Sequence, residues 1–185
     1  MAAMLMGAWS LQSCDNEPTK EVWLDEFGQD SCYVQDWGML EVNRSVVHTP
    51  LTVNGVVYER GLGAHSISRL LYDLDGKAVS ISGLAGADDK NLFAGKLQFK
   101  ILGDKKELWK SGVMQKGDPV KEFNVNLKGV DKVLLLVEEC GDGIMYDHAD
   151  WLNVKITTRG DVKPVPAWAK PVAKEKYILT PPAPE

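Results

Sequence analysis

The chain has 185 residues, 44% of them hydrophobic and 8% aromatic, with a formal net charge of -5 at pH 7. That length holds one ordinary domain plus tails. The acidic balance argues against a nucleic-acid partner, which wants a basic face, and no apolar stretch is long enough for a membrane-spanning helix.

Residues 1–13 carry no charge and read as the apolar part of an export signal. Leu11-Gln12-Ser13-Cys14 resembles the lipobox of bacterial lipoproteins, so Cys14 is the expected point for a lipid anchor. An exported bacterial protein follows, periplasmic or at the cell surface. Three segments are expected: a signal and tether over 1–20, a domain over 21–160, and a Pro-rich linker over 161–185. That linker reads as stiff and extended, leading towards a further, catalytic domain.

The domain opens on Val22-Trp23-Leu24-Asp25-Glu26-Phe27, which predicts a strand. Gln35-Asp36-Trp37-Gly38 predicts a loop, with Trp37 open to two roles: a ring for stacking, or a ring folded onto the core edge. Leu51-Thr52-Val53 and Val56-Val57-Tyr58 flank Asn54-Gly55, a two-residue hairpin turn. Leu70, Tyr72 and Leu74 alternate into Asp75-Gly76, and Val79, Ile81 and Gly83 follow. Leu97, Phe99 and Ile101 alternate, as do Phe123, Val125 and Leu127; both are period-two strands with one wet face. Val133-Leu134-Leu135-Leu136-Val137 is an unbroken apolar run, the pattern of a strand buried on both faces. No stretch shows a helical stripe capped at both ends. Eight to ten short strands with regular turns predict an all-β fold, a jelly-roll-like β-sandwich with flexible N- and C-terminal tails.

Two loops draw attention. Arg60-Gly61-Leu62-Gly63-Ala64-His65 has two glycines that permit close backbone approach, and its His65 could donate to a ligand hydroxyl or fix a neighbouring loop. The second runs from Cys140 through Gly141, Asp142 and Gly143 to Asp147-His148-Ala149-Asp150-Trp151. Its aromatic, acidic and imidazole groups suit ligand recognition, while its glycines and aspartates would equally build a turn. If the alternation of Leu152, Val154 and Ile156 extends backwards, Asp150 points inward and Trp151 outward. With Cys14 set aside, Cys32 and Cys140 remain; they could pair after export, or Cys140 could be a small apolar filler.

Taken in order, Tyr58-Glu59-Arg60-Gly61-Leu62-Gly63-Ala64-His65-Ser66, Gly86-Ala87-Asp88-Asp89, Leu108-Trp109-Lys110-Ser111-Gly112-Val113 and Asp147-His148-Ala149-Asp150-Trp151 carry a resemblance. The series resembles the NPCBM carbohydrate-binding module, related to carbohydrate-binding module family 51. The flanks resemble those of the module in Bacteroidota-type α-galactosidases. The resemblance implies a jelly-roll sandwich that binds galactose-containing glycans without catalysis and targets an attached glycoside hydrolase. Trp151 and Trp37 would then stack on the sugar, with His65, Asp147, His148 and Asp150 meeting its hydroxyls. Related sandwiches often hold a structural calcium ion, for which Asp88, Asp89 and Asp142 are candidate oxygen ligands. No cofactor is otherwise required. Two rival classes are weighed against this. A glycosidase needs a facing pair of carboxylates, but Asp147 and Asp150, three apart at a strand end, read more simply as turn groups. No nucleophile elbow or P-loop is present. The other rival is a protein-interaction sandwich without sugar binding, because fold alone does not fix function.

Overall fold

The structure is a computed structural model, and it describes residues 17–93 and 95–165. Cys14 and most of the Pro-rich tail lie outside the described residues, as does the Cys32 side chain, so the expectations on them stay outside it too. Cys140 is a free thiol.

Fourteen strands are present among the described residues: β1 (Lys20–Trp23), β2 (Cys32–Gln35), β3 (Glu41–Val42), β4 (Leu51–Val53), β5 (Val56–Tyr58), β6 (Gly61–His65), β7 (Ser68–Asp73), β8 (Ala78–Ala87), β9 (Leu97–Gly103), β10 (Lys106–Met114), β11 (Lys121–Asn126), β12 (Lys132–Glu139), β13 (His148–Thr158) and β14 (Lys163–Pro164). One sheet runs β11-β8-β13-β6-β3, with β1 also paired to β13; the other runs β10-β9-β12-β7-β14, with β2 also paired to β7. All pairings are antiparallel. The expected β-sandwich is therefore the fold.

The core lies between the two sheets. Leu62, Ile81, Trp151 and Ile156 come from one side, Leu70, Phe99, Ile101 and Leu135 from the other. The apolar run in β12 is buried on both faces, as its pattern predicts. Val133, Leu135 and Val137 enter the central core, while Leu134 and Leu136 join Tyr33, Leu71, Leu102 and Val165 in a second cluster. A third cluster forms where the β4–β5 hairpin covers the first sheet, with Leu51 and Val53 on Leu152. The hairpin turns through Asn54 (φ 49°) and Gly55 (φ 78°), a pair of left-handed residues that matches the twist of its strands. Asp89 clamps that turn, accepting bonds from the backbone N–H groups of Asn54 (3.0 Å) and Gly55 (2.8 Å).

Three expectations change. The opening strand stops at Trp23, and residues Leu24–Ser31 form a 3-10 segment kinked at Gly28 (φ 65°). The loop expected through Trp151 is shorter, because β13 begins at His148 and pairs in register with β6. The sandwich also reaches past residue 160. Lys163 and Pro164 pair with β7, Val165 donates to the Leu71 carbonyl (2.8 Å), and Val162 and Val165 are both buried. Pro164 is tolerated because β14 is an edge strand, where a missing N–H costs no ladder bond.

Candidate binding site

At one end of the sandwich the turn after β2, the end of β6 and the loop into β13 converge. His65 ends β6 and His148 opens β13, and the two are direct cross-strand partners. Opposed residues in an antiparallel pair point to one face, and here the imidazole centroids are 5.5 Å apart. The Trp37 indole lies over both. It sits 4.8 Å from His65, and 5.9 Å from His148 with the planes only 6° apart. Trp37 is 48% exposed, so it packs against the histidines with much of its surface still open to solvent. Ile144, Met145 and Tyr146 complete the wall of a depression of about 430 Å³. That volume lies within the range of small-ligand sites.

Burial favours the neutral form of both histidines. His65 Nδ1 lies 2.6 Å from the Ser66 carbonyl oxygen. A carbonyl only accepts, so Nδ1 carries the proton and Nε2 keeps its lone pair as an acceptor. Burial lowers the pKa of His65, against smaller raising effects of that carbonyl and of Asp36. Burial lowers His148 as well, the His65 charge lowers it further, and Asp88 opposes. The backbone of His148 is gripped by the buried Asn91. The His148 N–H donates to Asn91 Oδ1 (2.9 Å) and Asn91 Nδ2 donates to the His148 carbonyl (3.1 Å). Asn91 and Tyr146 are the residues that pattern reading misses. Asn91 acts through backbone bonds 57 residues away in the chain, which no local motif encodes.

The six residues expected to meet a sugar do not stay together. Trp37, His65 and His148 line the depression. Asp147 lies beneath it, fully buried, and accepts a 2.5 Å bond from the Ser66 hydroxyl on Oδ2. Its pKa is pushed up to about 6, chiefly by burial, with the Ser66 hydroxyl pulling down and the charges of Asp142 and Glu139 pushing up. Asp147 thus joins the loop to β6 instead of presenting a free carboxylate.

Trp151 and Asp150 exchange the faces expected of them, and neither reaches solvent. Trp151 is fully buried, with Phe99 and Phe123 edge-on to its ring at 4.9 and 5.7 Å. It is a core residue and offers no platform to a ligand. The cause is a bulge: the β13–β8 register slips between Leu152 and Lys155, and Asn153 is left-handed (φ 49°) with its N–H bonded to the Arg60 carbonyl. A bulge breaks the period-two alternation, so the inward set Val154 and Ile156 continues backwards to Trp151, not to Asp150. Asp150 lies on the opposite face, paired across the sheet with Gly63 and Gly86. A Cβ on Gly63 would come within 2.3 Å of the Arg44 carbonyl, and one on Gly86 within 2.7 Å of the Val53 side chain. The two glycines let loop and hairpin close over the acid.

Asp88, Asp89 and Asp142 do not share a site. Asp88 accepts from the Lys90 N–H (2.6 Å), Asp89 clamps the hairpin, and Asp142 accepts from the Lys96 N–H (3.2 Å) on another loop. Among the described residues no three His, Cys, Asp or Glu side chains are grouped to hold a metal. The expected calcium ligand set does not fit one ion, since calcium takes six to eight converging oxygens.

Residues 20–157 match the NPCBM/NEW2 domain model. The chain belongs to that family. The NPCBM/NEW2 domain here is a carbohydrate-binding module of the kind appended to glycoside hydrolases, not a catalytic domain. Over 130 residues it is 29% identical to alpha-1,3-galactosidase B of Akkermansia muciniphila, a match that covers 68% of this chain but 16% of that enzyme. Among solved structures it is similar to a family 51 module from a Clostridium perfringens family 95 enzyme in complex with methyl-galactose. That match has 25% identity and a TM-score of 0.66, and covers 74% of this chain and 99% of the module. It is also similar to the catalytic M60 and twin family 51 structure of C. perfringens ZmpB, with 28% identity and a TM-score of 0.68, over 76% of this chain and 15% of the other.

Proposed function

We propose that the depression of Trp37, His65 and His148 binds a galactose-containing glycan, and that the domain holds an attached α-galactosidase-like hydrolase on its substrate. The observation that carries this is the half-open Trp37 ring set against two neutral imidazoles. A sugar offers an apolar C–H face and a rim of hydroxyls. Trp37 supplies the flat apolar surface, and His65 Nε2 supplies an acceptor for a hydroxyl proton. A family 51 module of 25% identity described with methyl-galactose and a galactosidase relative support the choice of sugar. Export, with a lipid at Cys14, is part of the same proposal and rests on the sequence of residues 1–14 alone.

The test is Trp37→Ala. Aromatic anchors in desolvated sites commonly carry about 2 kcal/mol or more, so affinity for a methyl galactoside should fall about 30-fold. The melting temperature should stay within a degree or two, because the ring is half exposed and outside the core. Unchanged binding measured by calorimetry would reject this site. A wild-type domain that binds no glycan on an array would favour the protein-interaction alternative.

A further inference from the structure

Beyond the depression, the loops carry a second aromatic surface. Phe93 is 65% exposed, and its ring lies 4.9 Å from Tyr146 at 68°, edge to face. Tyr146 also lines the depression, so Phe93 stands one ring outside it. Leu92 (75% exposed) and Met145 (71% exposed) flank the pair. Apolar side chains that cluster in water, as distinct from ones scattered singly, mark contact surfaces and binding grooves.

These rings are held in place. Tyr146 adopts a left-handed backbone (φ 66°), unusual for an aromatic residue and a conformation that clusters at ligand sites. The loop bearing Phe93 is locked against the loop bearing Tyr146 at Gly95. A Cβ there would fall within 2.5 Å of Asp147 Oδ1 and 2.8 Å or less of the Tyr146 and Met145 carbonyls. The Cys140 N–H donates to the Lys96 carbonyl (3.0 Å), and Asn91 grips His148 from the same loop. A surface fixed this way keeps its ordering cost low on binding.

The geometry points to a second sugar subsite on Phe93 and Tyr146, making the ligand an extended glycan of at least two residues instead of a single terminal sugar. This rests on the proposed role of the Trp37 depression. The occupant follows from continuity. Tyr146 is shared between the two surfaces, so a sugar that leaves the depression on the Tyr146 side passes over Phe93. A next sugar ring offers the C–H face that an exposed aromatic ring takes.

The test compares a methyl galactoside with a galactose-terminated trisaccharide on the intact chain. The wild type should bind the trisaccharide about tenfold more tightly. Phe93→Ala should erase that gap and leave methyl galactoside binding unchanged, and Phe93→Tyr should restore it. Equal wild-type binding of both ligands, or a gap that survives Phe93→Ala, would overturn the subsite while leaving the depression's role intact. Loss of both ligands in Phe93→Ala at an unchanged melting temperature would also overturn it, since Phe93 would then serve the first sugar. If neither ligand binds the wild type, the depression's role falls and the subsite with it.

Discussion

Asp150 has a buried carboxyl with no hydrogen-bond donor at either oxygen, and Asp88 beside it. A buried carboxylate with only a second carboxylate for a partner is costly enough that the group takes up a proton instead. Burial first, then the charge of Asp88 and a hydrogen bond that the protonated Asp150 gives it, and last the charge of Asp89, raise the Asp150 pKa well above the carboxylate range. The folded state therefore binds a proton that the unfolded state has lost. The stability this contributes is full below the ordinary value of about 3.9 and is lost as pH rises through the folded pKa. Asp147 has the same sign, over a window from 3.8 to about 6. His65 and His148 have the opposite sign: with lowered pKa values they cost stability as pH falls below about 6.5. Asp150→Asn stays neutral at every pH, so thermal melts at about pH 5 and pH 8 should show a smaller alkaline loss than in the wild type. If instead a chelator lowers the wild-type melting temperature at neutral pH and spares Asp150→Asn, a cation neutralises this acid pair. At this scale the sequence is readable where function coincides with a local block. His65 and His148 stand out in their motifs and do meet. Asp150 and Trp151 sit in the same block yet leave the site, because burial by distant segments is invisible locally.

Strand parity explains the Trp151 outcome. Alternation in β13 predicts its faces correctly from Val154 onward and fails before Asn153, where one left-handed residue resets it. Asn tolerates that conformation, but nothing in Leu152-Asn153-Val154 announces a bulge. Trp151→Ala should accordingly cost about 3–5 kcal/mol, as for a buried Trp, and a urea melt would measure it. Any effect on sugar binding should then scale with the unfolded fraction alone. The loops obey a different logic. Gly141 and Gly143 mark a turn from sequence, but the contact that matters is at Gly95, which has no motif around it. Gly95→Ala should push the two loops apart, since the nearest atoms are a carboxylate and two backbone carbonyls. The expected result is weaker binding of glycan at the Trp37 depression, with the core intact by near-ultraviolet circular dichroism. Unchanged binding would show that the loops yield without moving His148.

For the whole molecule, the two-sheet architecture is legible because it rests on hydrophobic period, which each strand carries in itself. The end of the domain is not, because β14 is two residues long and contains a proline. Its role is to cover. Val165 closes the cluster of Tyr33, Leu71, Leu102, Leu134 and Leu136 on the outer face of the second sheet, and Val162 packs into the central core. The family match ends at residue 157, eight residues before Val165. A domain cut at that boundary would leave β2 on one half of the β7 edge but open the other half, at Leu71, Tyr72 and Asp73, beside apolar surface that Val165 had covered, and such an opening invites aggregation. Val165→Ala tests the point without cutting the chain. Deleting two buried methyl groups costs about 2 kcal/mol once the cavity is counted, or about 4–8 °C in melting temperature for a domain of this size. Val57→Ala is the control, since Val57 is 62% exposed on β5 and its loss should shift the melt by about 1 °C or less. If both substitutions leave the melt unchanged, β14 is a loose edge that the sandwich does not need, and the domain ends near Thr158.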